Sequence, residues 1–167
     1  MSLSIMVQTW QVLVSLLSIV KVAESGIVVD MNCTTTDTNG KVVFAPNAIV
    51  CSDKATANVC KKLFTPATVI VAGLDTPDRS PTCYNDAGGT TINENMKQVA
   101  IAYCANTCGY CCQTPPYACK NKENPSIDCA KVTDGMCTDP IWRQQISDNC
   151  PNICGFCNNG NCLGTCL

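Results

Sequence analysis

Apolar and polar positions fall into a few short stretches, not one long periodic pattern. Residues Met1 to Val20 contain no charged side chain, and Val12-Leu13-Val14-Ser15-Leu16-Leu17-Ser18-Ile19-Val20 is a compact apolar run that Lys21 ends. Further on, Val42 to Phe44 and Thr68-Val69-Ile70-Val71 have the β-branched content of short strands. Asn93 to Tyr103 predicts a short helix. So does Pro140 to Asn149, where Pro140 suits the first turn. Asp75 to Thr82, with Pro77 and Pro81, reads as loop. Gln113-Thr114-Pro115-Pro116-Tyr117 reads as a stiff, extended linker.

The apolar N-terminus has the form of an export signal. Ala23-Glu24-Ser25 places small residues at the −3 and −1 positions of a signal-peptidase site. The expectation is a signal peptide over residues 1–25, cleaved after Ser25. An uncleaved anchor is the competing reading. Gln8, Thr9 and Gln11 interrupt the stretch, which leaves it marginal against the ~20 apolar residues a span needs. No membrane span is expected in the mature chain. Asn32-Cys33-Thr34 is a sequon, so Asn32 is a candidate glycosylation site.

An internal repeat organises the rest. Cys104-Ala105-Asn106-Thr107-Cys108-Gly109-Tyr110-Cys111 reappears 46 positions later as Cys150-Pro151-Asn152-Ile153-Cys154-Gly155-Phe156-Cys157. Gly109 and Gly155 suit a helix C-terminus, where positive φ is often needed. Cysteines spaced i, i+4 and i+7 fall on one helix face. Cys150, Cys154 and Cys157 are therefore expected to point one way, toward upstream partners.

Cysteine usage sets the class. The chain has 16 cysteines in 167 residues, about a tenth of the sequence, the range of a secreted disulfide scaffold. Reducing compartments do not sustain such a set, and the even count permits full pairing. Few apolar residues remain for a large core, so cross-links worth ~2–4 kcal/mol each must help hold the fold. Net charge is −2. With no basic run or stripe, neither nucleic acid nor an anionic membrane surface is an expected partner.

Cys119, Cys129, Cys137, Cys150, Cys154 and Cys157 resemble the ShKT domain, the fold of a sea-anemone potassium-channel toxin and of many secreted nematode modules. The resemblance implies pairing of first to sixth, second to fourth and third to fifth cysteine: Cys119–Cys157, Cys129–Cys150 and Cys137–Cys154. Spacing alone leaves fifteen connectivities open. Upstream, Cys51-Ser52-Asp53 resembles the family's C-x-D opening, and Cys60, Cys83, Cys104, Cys108 and Cys111 complete six. The implied pairs are Cys51–Cys111, Cys60–Cys104 and Cys83–Cys108. A rival alignment at the 46-residue offset sets Cys83 against Cys129 and leaves this module without its third cysteine. Cys33, Cys112, Cys162 and Cys166 permit three pairings, of which Cys33–Cys112 with Cys162–Cys166 joins the most plausible neighbours.

The implied fold class is small and disulfide-rich: two tandem ShKT-like modules with short helices and loops, and a few short strands in the first. The expected organisation is a signal peptide at 1–25, an N-terminal segment at 26–50, a divergent first module at 51–112, a Pro-containing linker at 113–118, a second module at 119–157 and a cysteine-containing tail at 158–167. It resembles secreted nematode proteins in which a ShKT-like module precedes a more regular one.

The chain has no histidine, which excludes Ser-His-Asp and Cys-His catalysis and the H-E-x-x-H zinc site. In a secreted chain, Cys108-x2-Cys111 and Cys154-x2-Cys157 read as structural disulfide positions before redox or zinc motifs. Asp134, Asp139 and Asp148 read as solvated surface. No catalytic site, metal site or cofactor is expected, and the chain is not read as an enzyme.

Toxin members of the family use a lysine followed by an aromatic residue on the helix before the fourth cysteine; the ammonium plugs a pore ringed by carbonyls. The first module offers Met96-Lys97-Gln98, with no aromatic after the lysine. The second offers Trp142-Arg143-Gln144, and a guanidinium does not replace an ammonium well. Across 119–157, Lys120, Lys122, Lys131 and Arg143 are opposed by Glu123, Asp128, Asp134, Asp139 and Asp148, a net charge of −1. The expectation is thus a secreted, non-catalytic binding or structural protein whose partner is an extracellular protein or matrix component. The alternative is a toxin-like modulator of potassium channels with Lys97, Trp142 and Arg143 facing the channel. Outside that role, Lys97 reads as a solvated helix lysine.

Overall fold

The computed structural model describes residues 27, 29–65, 68–85, 91–158 and 161–162. The signal peptide at 1–25, its cleavage point after Ser25, and Cys166 lie outside the described residues. The described chain opens with a hairpin of β1 (Thr34–Thr36) and β2 (Val42–Phe44), antiparallel, with Thr34 opposite Phe44. The Asp37 carboxylate accepts from the backbone N–H groups of Asn39 and Lys41 and so closes the turn, the local bond that makes aspartate a turn residue.

Four helices follow: α1 (Ala57–Leu63), α2 (Glu94–Tyr103), α3 (Asp134–Thr138) and α4 (Pro140–Asn149). A two-residue hairpin, β3 (Cys157–Asn158) with β4 (Asn161–Cys162), ends the described chain. Helices α2 and α4 are repeat equivalents, and both start on a side-chain cap. Asn93 accepts from the N–H groups of Asn95 and Met96, and Asp139 from that of Ile141; such a cap satisfies donors that the first helical turn leaves without partners. Each helix then buries a single apolar position completely, Ala100 in α2 and Ile146 in α4.

Cystine sulfur supplies much of the interior. In the first module Cys60, Cys83, Cys104, Cys108 and Cys111 pack with Phe64, Tyr84, Ala100 and Tyr110. In the second, Ile146, Cys150 and Ile153 form the buried centre. A further cluster joins Ile27, Cys33, Phe44 and Ala48 to Cys112. The segment before residue 51 is therefore part of the first module's packing and is bonded to it through Cys33–Cys112.

Three sequence expectations need correction. Thr68–Val71 is not a strand: Val69 is 79% exposed, and beyond it Gly73 makes one bond to the Phe44 carbonyl, too little for a ladder on that edge of β2. The 113–117 linker is not extended. It is wound into tight turns at Cys111–Gln113 and Pro115–Tyr117, because Pro115 has the φ that such a turn needs and no N–H to leave unpaired. The 75–82 stretch is loop as expected through Ser80, enters a tight turn at Pro81–Cys83, and buries Arg79 and Ser80.

The third concerns Cys150, Cys154 and Cys157, which do not share a helix face. Helix α4 ends at Asn149, and Cys150 already has non-helical angles of φ −133° and ψ 45°. The chain then reverses. Phe156 N–H donates to the Pro151 carbonyl at 2.9 Å, and Gly155 sits at φ 69°. The same closure occurs in the first copy, with Tyr110 N–H on Ala105 O, Gly109 N–H on Asn106 O, and Gly109 at φ 65°. In the first copy both bonds, with glycine just past the cap, define a Schellman motif; the second copy has the longer bond and the left-handed glycine.

Candidate functional site

Among the described residues seven disulfides join fourteen cysteines, and none is found free. The first module holds Cys51–Cys111, Cys60–Cys104 and Cys83–Cys108. The second holds Cys119–Cys157, Cys129–Cys150 and Cys137–Cys154. First-to-sixth, second-to-fourth and third-to-fifth order holds in each. Cys83 aligns with Cys129 at the repeat offset, yet it bonds the equivalent of Cys154, as Cys137 does. Cys162 stands opposite Cys157 in the β3–β4 register.

The asparagine of the repeat ties each module shut. Asn106 Nδ2 donates to the carbonyls of Ile49 and Cys51. Its backbone N–H donates to Asp53 Oδ1 at 2.8 Å, and Thr107 adds both its N–H and its hydroxyl to the same carboxylate. In the second module Asn152 Nδ2 donates to the Cys119 carbonyl at 3.1 Å, and its N–H to Asn121 Oδ1 at 3.4 Å. Asn121 stands two residues after its module's first cysteine, as Asp53 does, but Ile153 replaces Thr107 and lacks the hydroxyl. The second lock is the looser one.

Lys97 and Arg143 are repeat equivalents, and each faces the aromatic ring of its own C-G-[Tyr/Phe]-C turn. Lys97 Nζ lies 5.9 Å from the centre of the Tyr110 ring, and Arg143 Cζ lies 4.8 Å from that of Phe156. Cations favour the negative face of such rings. Surroundings then separate the two. Arg143 is exposed. Lys97 is only 7% exposed and pairs with Asp30, so it is neither a solvated helix lysine nor channel-facing. The cause is the N-terminal segment, which lays Asp30 over this end of α2; the second module has no counterpart. Trp142 is 40% exposed, its neighbour Ile141 is 80% exposed, and both belong to the second module, apart from Lys97.

Asp30 is the centre of a buried polar cluster. It accepts from the Tyr110 hydroxyl and from Asn32 through backbone and side chain. Arg79, fully buried, lies across the Tyr110 ring at 4.0 Å and the Phe44 ring at 5.0 Å. It donates to the carbonyls of Cys108, Gly109 and Asn32. Burial pushes the Asp30 carboxyl up, but the bonds from Tyr110 and Asn32 and the Arg79 charge outweigh it, and its pKa lies below the ordinary aspartate value. Tyr110 is pushed far up, first by burial and then by Asp30. The Asn32 amide, the atom a glycan would join, is half-buried and engaged with Asp30.

Other acidic residues serve local structure. Asp139 caps α4, Asp134 opens α3, and Asp148 accepts from Gln144. Among the described residues no group of three or more acidic or cysteine side chains is disposed to hold a metal ion. Sequence reasoning missed Asp30, Arg79 and Tyr110 as a unit. An arginine flanked by prolines at 77 and 81 was the available hint, and it carries no periodicity.

A family model described as ShK domain-like matches residues 76–111 and 118–157. No curated protein and no solved structure matches the chain. The first match starts after Cys51 and Cys60, yet both are bonded into that module. Repeat, cross-links and family match agree: the chain carries two ShK domain-like modules in tandem.

Proposed function

We propose that this chain is secreted and serves outside the cell as a non-catalytic binding and structural protein, its partner an extracellular protein or matrix component. The observation that carries the reading is the set of seven disulfides, which includes one that ties the N-terminal segment to the first module. Many disulfides and ShK-like modules are typical of extracellular proteins. No helix among the described residues is long and apolar enough to cross a membrane. The absence of histidine removes the commonest acid–base and nucleophile-activating group. Against the channel-modulator alternative stands Lys97, whose ammonium is engaged inside the first module.

The test is to express the full chain with a C-terminal tag in eukaryotic secretory cells. Oxidised protein in the medium, with an N-terminus near Gly26, is the expected result. Full-length chain retained in carbonate-washed membranes would replace secretion with anchoring.

A further inference from the structure

A groove of about 570 Å³ runs between the C-terminal end of α2 and the Pro115–Tyr117 turn, within the range of small-molecule sites, about 300–1,000 Å³. Ile101, Ala102 and Tyr103 line it from the helix, and Pro115, Pro116 and Tyr117 from the turn. Tyr103 is 56% exposed there, although it sits on a helix that buries its opposite face.

We propose that this groove binds an apolar carboxylic acid, with its tail along Tyr103 and the prolines and its carboxylate at Lys54. Charge selects the head group. Lys54 is the only ionisable lysine, arginine or acid among the lining residues, and it makes no ion pair among the described residues. Its neighbour Asp53 does not pair with it; that carboxylate faces Asn106 and Thr107 instead. Ser52, also on the lining, adds a hydroxyl that can donate to a carboxylate oxygen.

Rigidity favours binding. The groove walls are fixed by Cys51–Cys111 and Cys60–Cys104, and the far wall is a proline turn. Little ordering is then needed when a ligand arrives. A second hollow, about 480 Å³ where the two modules meet, carries Asp134 in place of a cation, and a carboxylate would be repelled there.

This inference goes beyond the scaffold reading and stands on the geometry of the first module and the turn that follows it. The test uses the full folded chain and two probes, dodecanoate and uncharged dodecan-1-ol, followed by two-dimensional NMR and calorimetry. Saturable dodecanoate binding that shifts Tyr103, Ile101 and Tyr117 resonances is the expected result. Lys54→Gln, a surface change that should leave the fold intact, should weaken it about fivefold, the scale of an exposed charge pair. Dodecan-1-ol should bind the parent chain no better than dodecanoate binds that variant. No saturable binding, shifts confined to other surfaces, or equal affinity for acid and alcohol would overturn the proposal. A proline-rich peptide that occupies the groove and resists displacement by dodecanoate would overturn it as well.

Discussion

The Lys97 ammonium stands 3.6 Å from Oδ2 of Asp30, and both side chains are buried. The pair joins the middle of α2 to a segment 67 residues earlier in the chain. It also explains why one repeat position carries a hidden cation and its equivalent an exposed one. Lys97 and Arg143 both lie near an aromatic ring, but only the first module has an N-terminal segment to cover it.

Asp30 should make stability sensitive to acid. Its folded-state pKa lies below the ordinary aspartate value, so the unfolded chain binds the proton more tightly. The stabilisation is present above the unfolded value and is lost as pH falls through the folded one. Urea unfolding with disulfides intact, followed from neutral pH down to about pH 2, should show falling stability below about pH 4. Asp30→Asn should flatten that acid limb while lowering stability at neutral pH. An unchanged acid limb in the variant would remove Asp30 from the account.

The two asparagine locks should differ in strength. Asn106→Ala leaves the Ile49 and Cys51 carbonyls without their donor, and about 2–3 kcal/mol of stability should be lost. Asn152→Ala removes one side-chain bond, to Cys119 O, and should lose about 1 kcal/mol. Denaturant unfolding of the two variants checks the order. Equal losses would mean that the Asn106 bonds add nothing to the shared backbone turn.

Glycine at the left-handed position should be needed in both modules. At Gly155, φ is 69° and an added Cβ would lie 2.9 Å from the Tyr117 ring. Gly155→Ala should therefore cost more than the ~1–2 kcal/mol of left-handed backbone alone, and should shift Tyr117 resonances. At Gly109 the nearest atom is the flexible end of Ile70, at 2.8 Å. Gly109→Ala should lose about 1–2 kcal/mol. Thermal unfolding of both variants checks this, and a neutral Gly155→Ala would contradict the close approach.

Sequence made some of this legible. Helices at 93–103 and 140–149 showed because caps, prolines and glycines bracket them, and Val42–Phe44 showed through its β-branched content. Helix α1 has seven residues and α3 five, too short for a helical period to register. Thr68–Val71 has strand composition but lacks a ladder partner, which composition does not reveal. The pairing order came from family resemblance and not from spacing. Asp30, Arg79, Lys97 and Tyr110 are scattered over 81 positions and meet only once the disulfides close, so no local pattern marks them. Lys97 in particular looks like any helix lysine until Asp30 is set beside it.

The central claim is that Lys97 is a core cation paired with Asp30 and not a surface lysine open to a pore. Its most direct test is to apply the folded chain and its Lys97→Ala variant to voltage-gated potassium channels, with unfolding measured on the same samples. The account expects no nanomolar block by either, and a loss of about 3 kcal/mol of stability in the variant, the scale of breaking a buried ion pair. Nanomolar block by the parent chain that Lys97→Ala abolishes without loss of stability would contradict it.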